Sequence, residues 1–196
     1  MRRALRGLGV CLIFTGLTLG GFKLFQDGHS GNEYRSAQQA LRKDLRNSVA
    51  PSKADAVAVL RIPRFGSGFD PVIVEGVSQG DLKKGPGHYP GTAMPGEIGN
   101  FAVAGHRTGW GQPFHRLPEL KKGDAINVEW QGRSFTYRVT RTEVVEPSDV
   151  GVVLPVPNRP GTEPDKARIT LTTCTDRDRG GAYVHRLVVW GELNDR

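Results

Sequence analysis

RITLTTC, running from Arg168 to Cys174, alternates residue by residue. Ile169 and Leu171 fall on one face, and Thr170, Thr172 and Cys174 fall on the other, as the period of two in a strand requires. The apolar pair can bury in a core. The thiol then closes the strand on a face of small polar residues, where a substrate can reach it. A buried structural cysteine is the competing reading, because a free cysteine packs like a small hydrophobe. Position alone leaves both open.

Working outward, the 196 residues leave room for one domain plus an N-terminal segment that does not look globular. The 26 glycines and 13 prolines sit mostly between short β-like runs, which favours an all-β barrel over a helical bundle. The net charge of +7 raises nucleic acid as a partner. The basic residues are scattered, however, with no aromatics interleaved as a stacking platform needs, so a nucleic-acid function is set aside. Of the two cysteines, Cys11 lies in an apolar run, which leaves Cys174 alone in the globular part. It can form no internal disulfide there, and a single leftover cysteine in an exported domain is a candidate reactive thiol.

Arg2, Arg3 and Arg6 precede a charge-free run from Gly7 to Phe22. Extended through Phe25, with Lys23 reaching back to the interface, the run is long enough for a bilayer. The arginines place its N-terminal end in the cytoplasm. No A-x-A cleavage site follows, so an uncleaved anchor is preferred to a signal peptide. The organisation expected is a cytoplasmic tip and transmembrane anchor over 1–25, a stalk or linker with a short helix over 26–53, and a β-barrel domain carrying Cys174 over 54–196. Ser36 and Gln39 fit a capping box, with Ala37, Leu41 and Leu45 on one helical face. This helix is expected to hold the domain away from the membrane.

Within the domain, strands are predicted over 57–62, 72–74, 101–106, 125–130, 134–145, 168–174 and 183–192, with single helical turns near 78–84 and 114–120. The stretch 85–100 is too rich in glycine and proline for regular structure, and loops of that length inside a compact domain are usually functional or disordered. Seven or eight strands suffice to close a small barrel.

A thiol becomes a good nucleophile when a base takes its proton or a positive neighbour favours the thiolate. Of five histidines, His106 ends the strand FAVAGH with Ala102 and Ala104 on its own face, which leaves room for an imidazole and a substrate. Acyl transfer also needs a donor for the developing oxyanion. Arg186 lies on a strand face otherwise occupied by Val184, Val188 and Trp190, and an arginine in such a place is either partnered or functional. Arg177 and Arg179 are weaker candidates. No set of three or four metal-ligating residues in recognisable spacing occurs, so neither a metal nor another cofactor is expected.

Together TLTTC, an arginine twelve positions later in HRLVVWG, and AGHR upstream resemble a sortase. The resemblance covers about Val57 to Leu193, and GHYPGTAMPGEIGNFAVAGHR is most similar to class E sortases. It implies an eight-stranded β-barrel and a membrane-anchored cysteine transpeptidase on the outer face of Gram-positive cells. Carried over residue by residue, Cys174 is the nucleophile, His106 the acid–base and Arg186 the oxyanion or peptide donor. Tyr89, with Thr172 and Thr173, is then expected to contact the substrate. The implied partners are surface proteins ending in a sorting signal, LAxTG or LPxTG, and an amine of a cell-wall precursor. The charged, glycine-rich segment 175–183 departs from the pattern expected after the cysteine.

Two rivals remain. An L,D-transpeptidase also uses cysteine and histidine at the cell wall, but its cysteine follows a Ser-His-Gly-like turn rather than a pair of threonines. A membrane-anchored β-barrel binding module would carry an inert thiol.

Overall fold

The computed structural model describes residues 29–46, 56–178 and 180–194. Its strands are β1 (Ala56–Arg61), β2 (Val72–Glu75), β3 (Gly87–His88), β4 (Gly99–Ala104), β5 (Ala125–Trp130), β6 (Arg133–Val145), β7 (Ala167–Arg177) and β8 (Tyr183–Leu193). They close into a barrel in the order β1-β2-β3-β4-β7-β8-β6-β5, as the sequence predicts for the class. Neighbours are antiparallel except β2 with β3 and β4 with β7. Closure leaves no unpaired edge along the wall.

Alternation decides what fills the interior. Phe101 and Val103 of β4, Ile169 and Leu171 of β7, and Leu187 and Val189 of β8 all point inward and join one core with Leu60, Ile126, Val128 and Tyr137. Each such aliphatic or aromatic side chain contributes roughly 1.5–3 kcal/mol by leaving water. The Tyr137 hydroxyl accepts a hydrogen bond from the Gly96 amide at 2.7 Å, and burial pushes its phenol up to about 12. The outward residues of β4 and β7, Ala102, Ala104, Thr170, Thr172 and Cys174, are all small.

Several segments differ from expectation. Helix α1 spans 29–46, so Ser36 is not its cap; the Ser36 hydroxyl instead donates back to the Asn32 carbonyl at 3.0 Å. Two of the three residues of the predicted apolar face, Leu41 and Leu45, are in its packed cluster. Leu41 and Leu45 pack on Ala56, Val72 and Val74, on the outside of the barrel. Between them Gln38 is buried and satisfies three backbone groups, accepting from Val72 N at 2.7 Å and donating to Val72 O at 3.0 Å and Lys84 O at 2.8 Å. Arg42 reaches Asp70 at 2.6 Å. The helix is therefore docked on the barrel rather than standing clear of it.

Within the glycine-rich stretch, Gly87 and His88 form β3, bridging β2 and β4. Glycine is required at 87 because an added Cβ would run into the Gly76 carbonyl oxygen. The turn near 78–84 is helix α2 (Gln79–Lys84), capped by Ser78, whose hydroxyl accepts from the Asp81 amide while the Asp81 carboxylate accepts from the Ser78 amide. The β5–β6 hairpin turns through Gln131 and Gly132, both at positive φ. Among the described residues no helix is long and apolar enough to cross a membrane; the charge-free run that predicted an anchor lies outside them.

Candidate active site

β7 sits between β4 and β8, and its register with each sets the site. On the parallel side, Ala104 pairs with Thr172. The ladder continues one step past the end of β4, since the Gly105 amide donates to the Thr172 carbonyl at 3.0 Å. The Thr173 hydroxyl donates to the Gly105 carbonyl at 2.7 Å, locking that step from the side-chain direction. On the antiparallel side, Cys174 pairs directly with Arg186. His106 stands two residues beyond Ala104, as Cys174 stands two beyond Thr172. Cys174 and Arg186 thus face each other across β7 and β8, and His106 follows directly after Gly105, the last residue tied to β7 on the other side.

Local packing explains why the histidine is held there. Gly105 has no room for a side chain: a Cβ would lie 2.5 Å from Cδ2 of Phe114, whose ring closes that end of the core. The Phe114 amide then donates to the His106 carbonyl at 3.1 Å. The backbone is fixed on both sides of His106 while its ring stays half-buried, with Nε2 buried and unpartnered. Burial, helped by the positive charge of Lys83, holds the imidazole below its usual 6.5. Cys174 is a partly exposed free thiol. Arg186 is half-buried, with one guanidinium nitrogen donating to its neighbour's carbonyl, His185 O, at 3.1 Å.

The other histidines are accounted for differently. His88 is buried between Glu75 (2.7 Å) and Thr92 (2.9 Å) and stacks on Phe101. His185 lies between Asp176 (3.2 Å) and Glu146 (3.3 Å). His29 pairs with Glu33 at 2.8 Å, and His115 is exposed on a turn.

Against Arg186 lies a small groove of about 110 Å³. Tyr89, Thr172 and Arg186 form its polar side, and Val152, Val153 and Val188 its apolar side. The Tyr89 and Thr172 hydroxyls hydrogen-bond at 3.1 Å across the groove wall. Larger cavities of about 590, 490 and 410 Å³ lie elsewhere, against α1, over Trp190 and under the 90–99 loop. None of these includes Arg186 whereas the small groove does, so chemistry rather than size picks the small one.

Of the six residues singled out in the sequence, Cys174 pairs with Arg186, Tyr89, Thr172 and Arg186 line one groove, and His106 follows Gly105, which is bonded to Thr172. Thr173 stands apart. It points inward, is almost wholly buried, and its hydroxyl serves Gly105, so it positions the site and does not meet a substrate. Arg177 lies beyond Cys174 on β7, over the Tyr183 ring, with Nη2 3.4 Å from the Thr108 hydroxyl; Arg179 lies outside the described residues. Beyond the cysteine β7 and β8 stay paired, Arg177 with Tyr183, and the Asp178 amide donates to the Ala182 carbonyl at 2.9 Å. Gly105 and Lys83 were missed. The glycine immediately before the histidine was the available signal for one; nothing local marks the other.

The sortase domain profile matches residues 60–194. Sortase SrtE1 of Streptomyces coelicolor is 33% identical over 97% of this chain, which spans 57% of that protein's length. The structure of sortase E from Streptomyces avermitilis is 41% identical, with a TM-score of 0.63 over 72% of this chain and 89% of the other.

The chain belongs to the sortase family.

Sortase E1 from S. coelicolor, solved with a tripeptide in its active site, is also similar: 36% identity, TM-score 0.63, and the same coverage. Within the family of transpeptidases, these relatives place the present sortase in class E.

Proposed function

We propose that this sortase is an extracellular cysteine transpeptidase, anchored by residues 1–25 with its N-terminus in the cytoplasm. It cleaves a C-terminal sorting signal, LAxTG or LPxTG, between Thr and Gly and transfers the protein to an amine of a cell-wall precursor. The single observation that carries the reading is the register of β7, which pairs Cys174 with Arg186 on one side and ties Gly105, the residue before His106, to Thr172 on the other. The peptide would lie along the groove beside β7, its side chains over Val152, Val153 and Val188 and its backbone near Tyr89 and Thr172. The tripeptide held in the active site of S. coelicolor sortase E1 supports a peptide-binding role for the corresponding face.

The Cys174 thiol passes its proton to His106, and the thiolate attacks the threonyl carbonyl carbon. A C–S bond forms, and the carbonyl π pair moves to oxygen, where Arg186 can donate to it. The pair then returns to re-form the carbonyl as the C–N bond breaks, and His106 delivers the thiol's proton to the departing glycyl amine. An incoming amine then attacks the thioester; the new C–N bond forms, Cys174 leaves as thiolate, and His106 takes the amine's proton.

Intact-protein mass spectrometry of the enzyme with each sorting peptide tests this. The expected result is a mass increase equal to the peptide's N-terminal fragment on Cys174, absent in Cys174→Ala. That variant should lose at least about 10⁴-fold in rate, since no other group supplies the nucleophile. Its stability should stay within about 1 kcal/mol, because the thiol is partly exposed and fills no core space. No adduct with either peptide overturns the reading.

A further inference from the structure

On the His106 side of Cys174, one short loop gathers cations that have no counter-charge. His106 is followed by Arg107, Thr108, Gly109 and Trp110. At one end the Lys83 ammonium sits over the Trp110 ring, 4.6 Å from its centroid. At the other, Thr108 meets both the Tyr183 hydroxyl (3.2 Å) and Arg177 (3.4 Å), and Arg177 lies over Tyr183 at 4.3 Å. Between them Arg107 keeps Nη1 buried and unpartnered; with His106 Nε2 it is one of two such side-chain atoms among the described residues. Lys83, Arg107 and Arg177 meet no carboxylate among the described residues, whereas Arg42, Arg61, Arg64, Arg116, Arg141 and Arg168 each do. A buried guanidinium nitrogen without a partner, as at Arg107, is costly; Arg177 is exposed and donates to Gly181 O and to the Tyr183 hydroxyl, each at 3.0 Å, and the fork of an arginine matches a carboxylate closely.

We propose that the 106–110 loop is the acceptor-recognition edge of the site, and that Arg107 and Arg177 select amines bearing a carboxylate within one residue of the attacking nitrogen. The inference rests on the transpeptidase reading above. His106 must lie within hydrogen-bond reach of the amine whose proton it takes. The residue next to it then faces what the amine carries, and the anion a short distance from a peptide amine is a carboxylate. Lys83 adds field without a fork, and Trp110 and Tyr183 hold Lys83 and Arg177 in place.

The test is aminolysis of the preformed thioacyl-enzyme by diglycine and by diglycinamide, whose amino groups titrate alike. A charge-assisted hydrogen bond gives diglycine a KM about tenfold lower at similar kcat. In Arg107→Gln and Arg177→Gln the ratio falls to about twofold or less, and rising salt narrows it in the wild type. Equal KM values in the wild type, or a ratio untouched in both variants, overturn the proposal. A binding titration needs no turnover: N-acetylglycine should shift the Arg107 and Arg177 side-chain N–H resonances, and N-acetylglycinamide should not. Equal shifts, or none, also overturn it. Missing thioacyl adducts with sorting peptides would instead sink the transpeptidase reading, and the titration would still decide this one.

Discussion

The barrel wall formed by β5, β1 and β2 and the wall formed by β4, β7 and β8 share inward faces of the same apolar kind, but their outer faces are finished differently. Outside the first, Ala56, Val72 and Val74 are covered by Leu41 and Leu45 of α1, and the cations are matched: Arg42 with Asp70, Arg61 with Glu129, Arg64 with Asp124. Outside the second, Ala104, Thr172 and Cys174 leave a shallow track, and Arg186, Arg107 and Arg177 have no carboxylate among the described residues. The first wall has the finish of a scaffold, its groups paired within the protein. The second holds polar groups that a substrate can pair.

The strongest way to break this comparison is to change the base. His106→Gln should slow thioacyl formation by about 10²–10⁴-fold in single-turnover mass spectrometry. A loss under tenfold would mean the imidazole is not the proton carrier. Next comes the guanidinium. Arg186→Gln should cost about 10²–10³-fold, in line with removal of an oxyanion donor. The same substitution at Arg61, a paired surface cation, should leave the rate within about twofold and stability within about 1 kcal/mol. Comparable losses at both positions would erase the distinction between the walls.

The covered wall makes the opposite prediction. Gln38→Ala strips partners from the buried amide and carbonyl of Val72 and should cost about 2 kcal/mol in urea unfolding, with kcat/KM unchanged. An unchanged stability would mean that α1 is not docked in solution.

The smallest expected effect sharpens the electrostatics. His106 is held below 6.5 by burial first and by Lys83 second, so the folded protein binds that proton less readily than the unfolded chain. Its contribution to stability is complete above about pH 6.5 and is lost as the pH falls toward the lower folded value. Titrating the imidazole by NMR in Cys174→Ala, which removes coupling to the thiol, should give a midpoint below 6.5. Adding Lys83→Gln should raise it by a few tenths of a unit. A midpoint above 6.5 would contradict the buried, cation-flanked environment.

Much of this was legible residue by residue. Alternation in RITLTTC and FAVAGH fixed which side chains face the core, because side-chain direction in a strand depends only on parity. That put Cys174 and His106 outside with small neighbours before any pairing was known. The hairpin through Gly132 and the short α2 followed from equally local chemistry. The course of α1 did not: its cap was misplaced, and its docking depends on Gln38 meeting backbone groups of Val72 and Lys84, distant in sequence. β3 was missed because two residues carry no periodicity; only partners on both sides make them a strand.

The sequence by itself determined the strand faces, the core and the residue types available for chemistry, since these follow from the local period and from each side chain's own properties. Tertiary structure alone decided that Cys174 faces Arg186, that Thr173 turns inward to hold Gly105 beside His106, and that Lys83, Arg107 and Arg177 gather round one loop without counter-charge among the described residues. Those are matters of register between strands brought together by barrel closure, and register is set by pairing across the sheet, which no single stretch of chain contains.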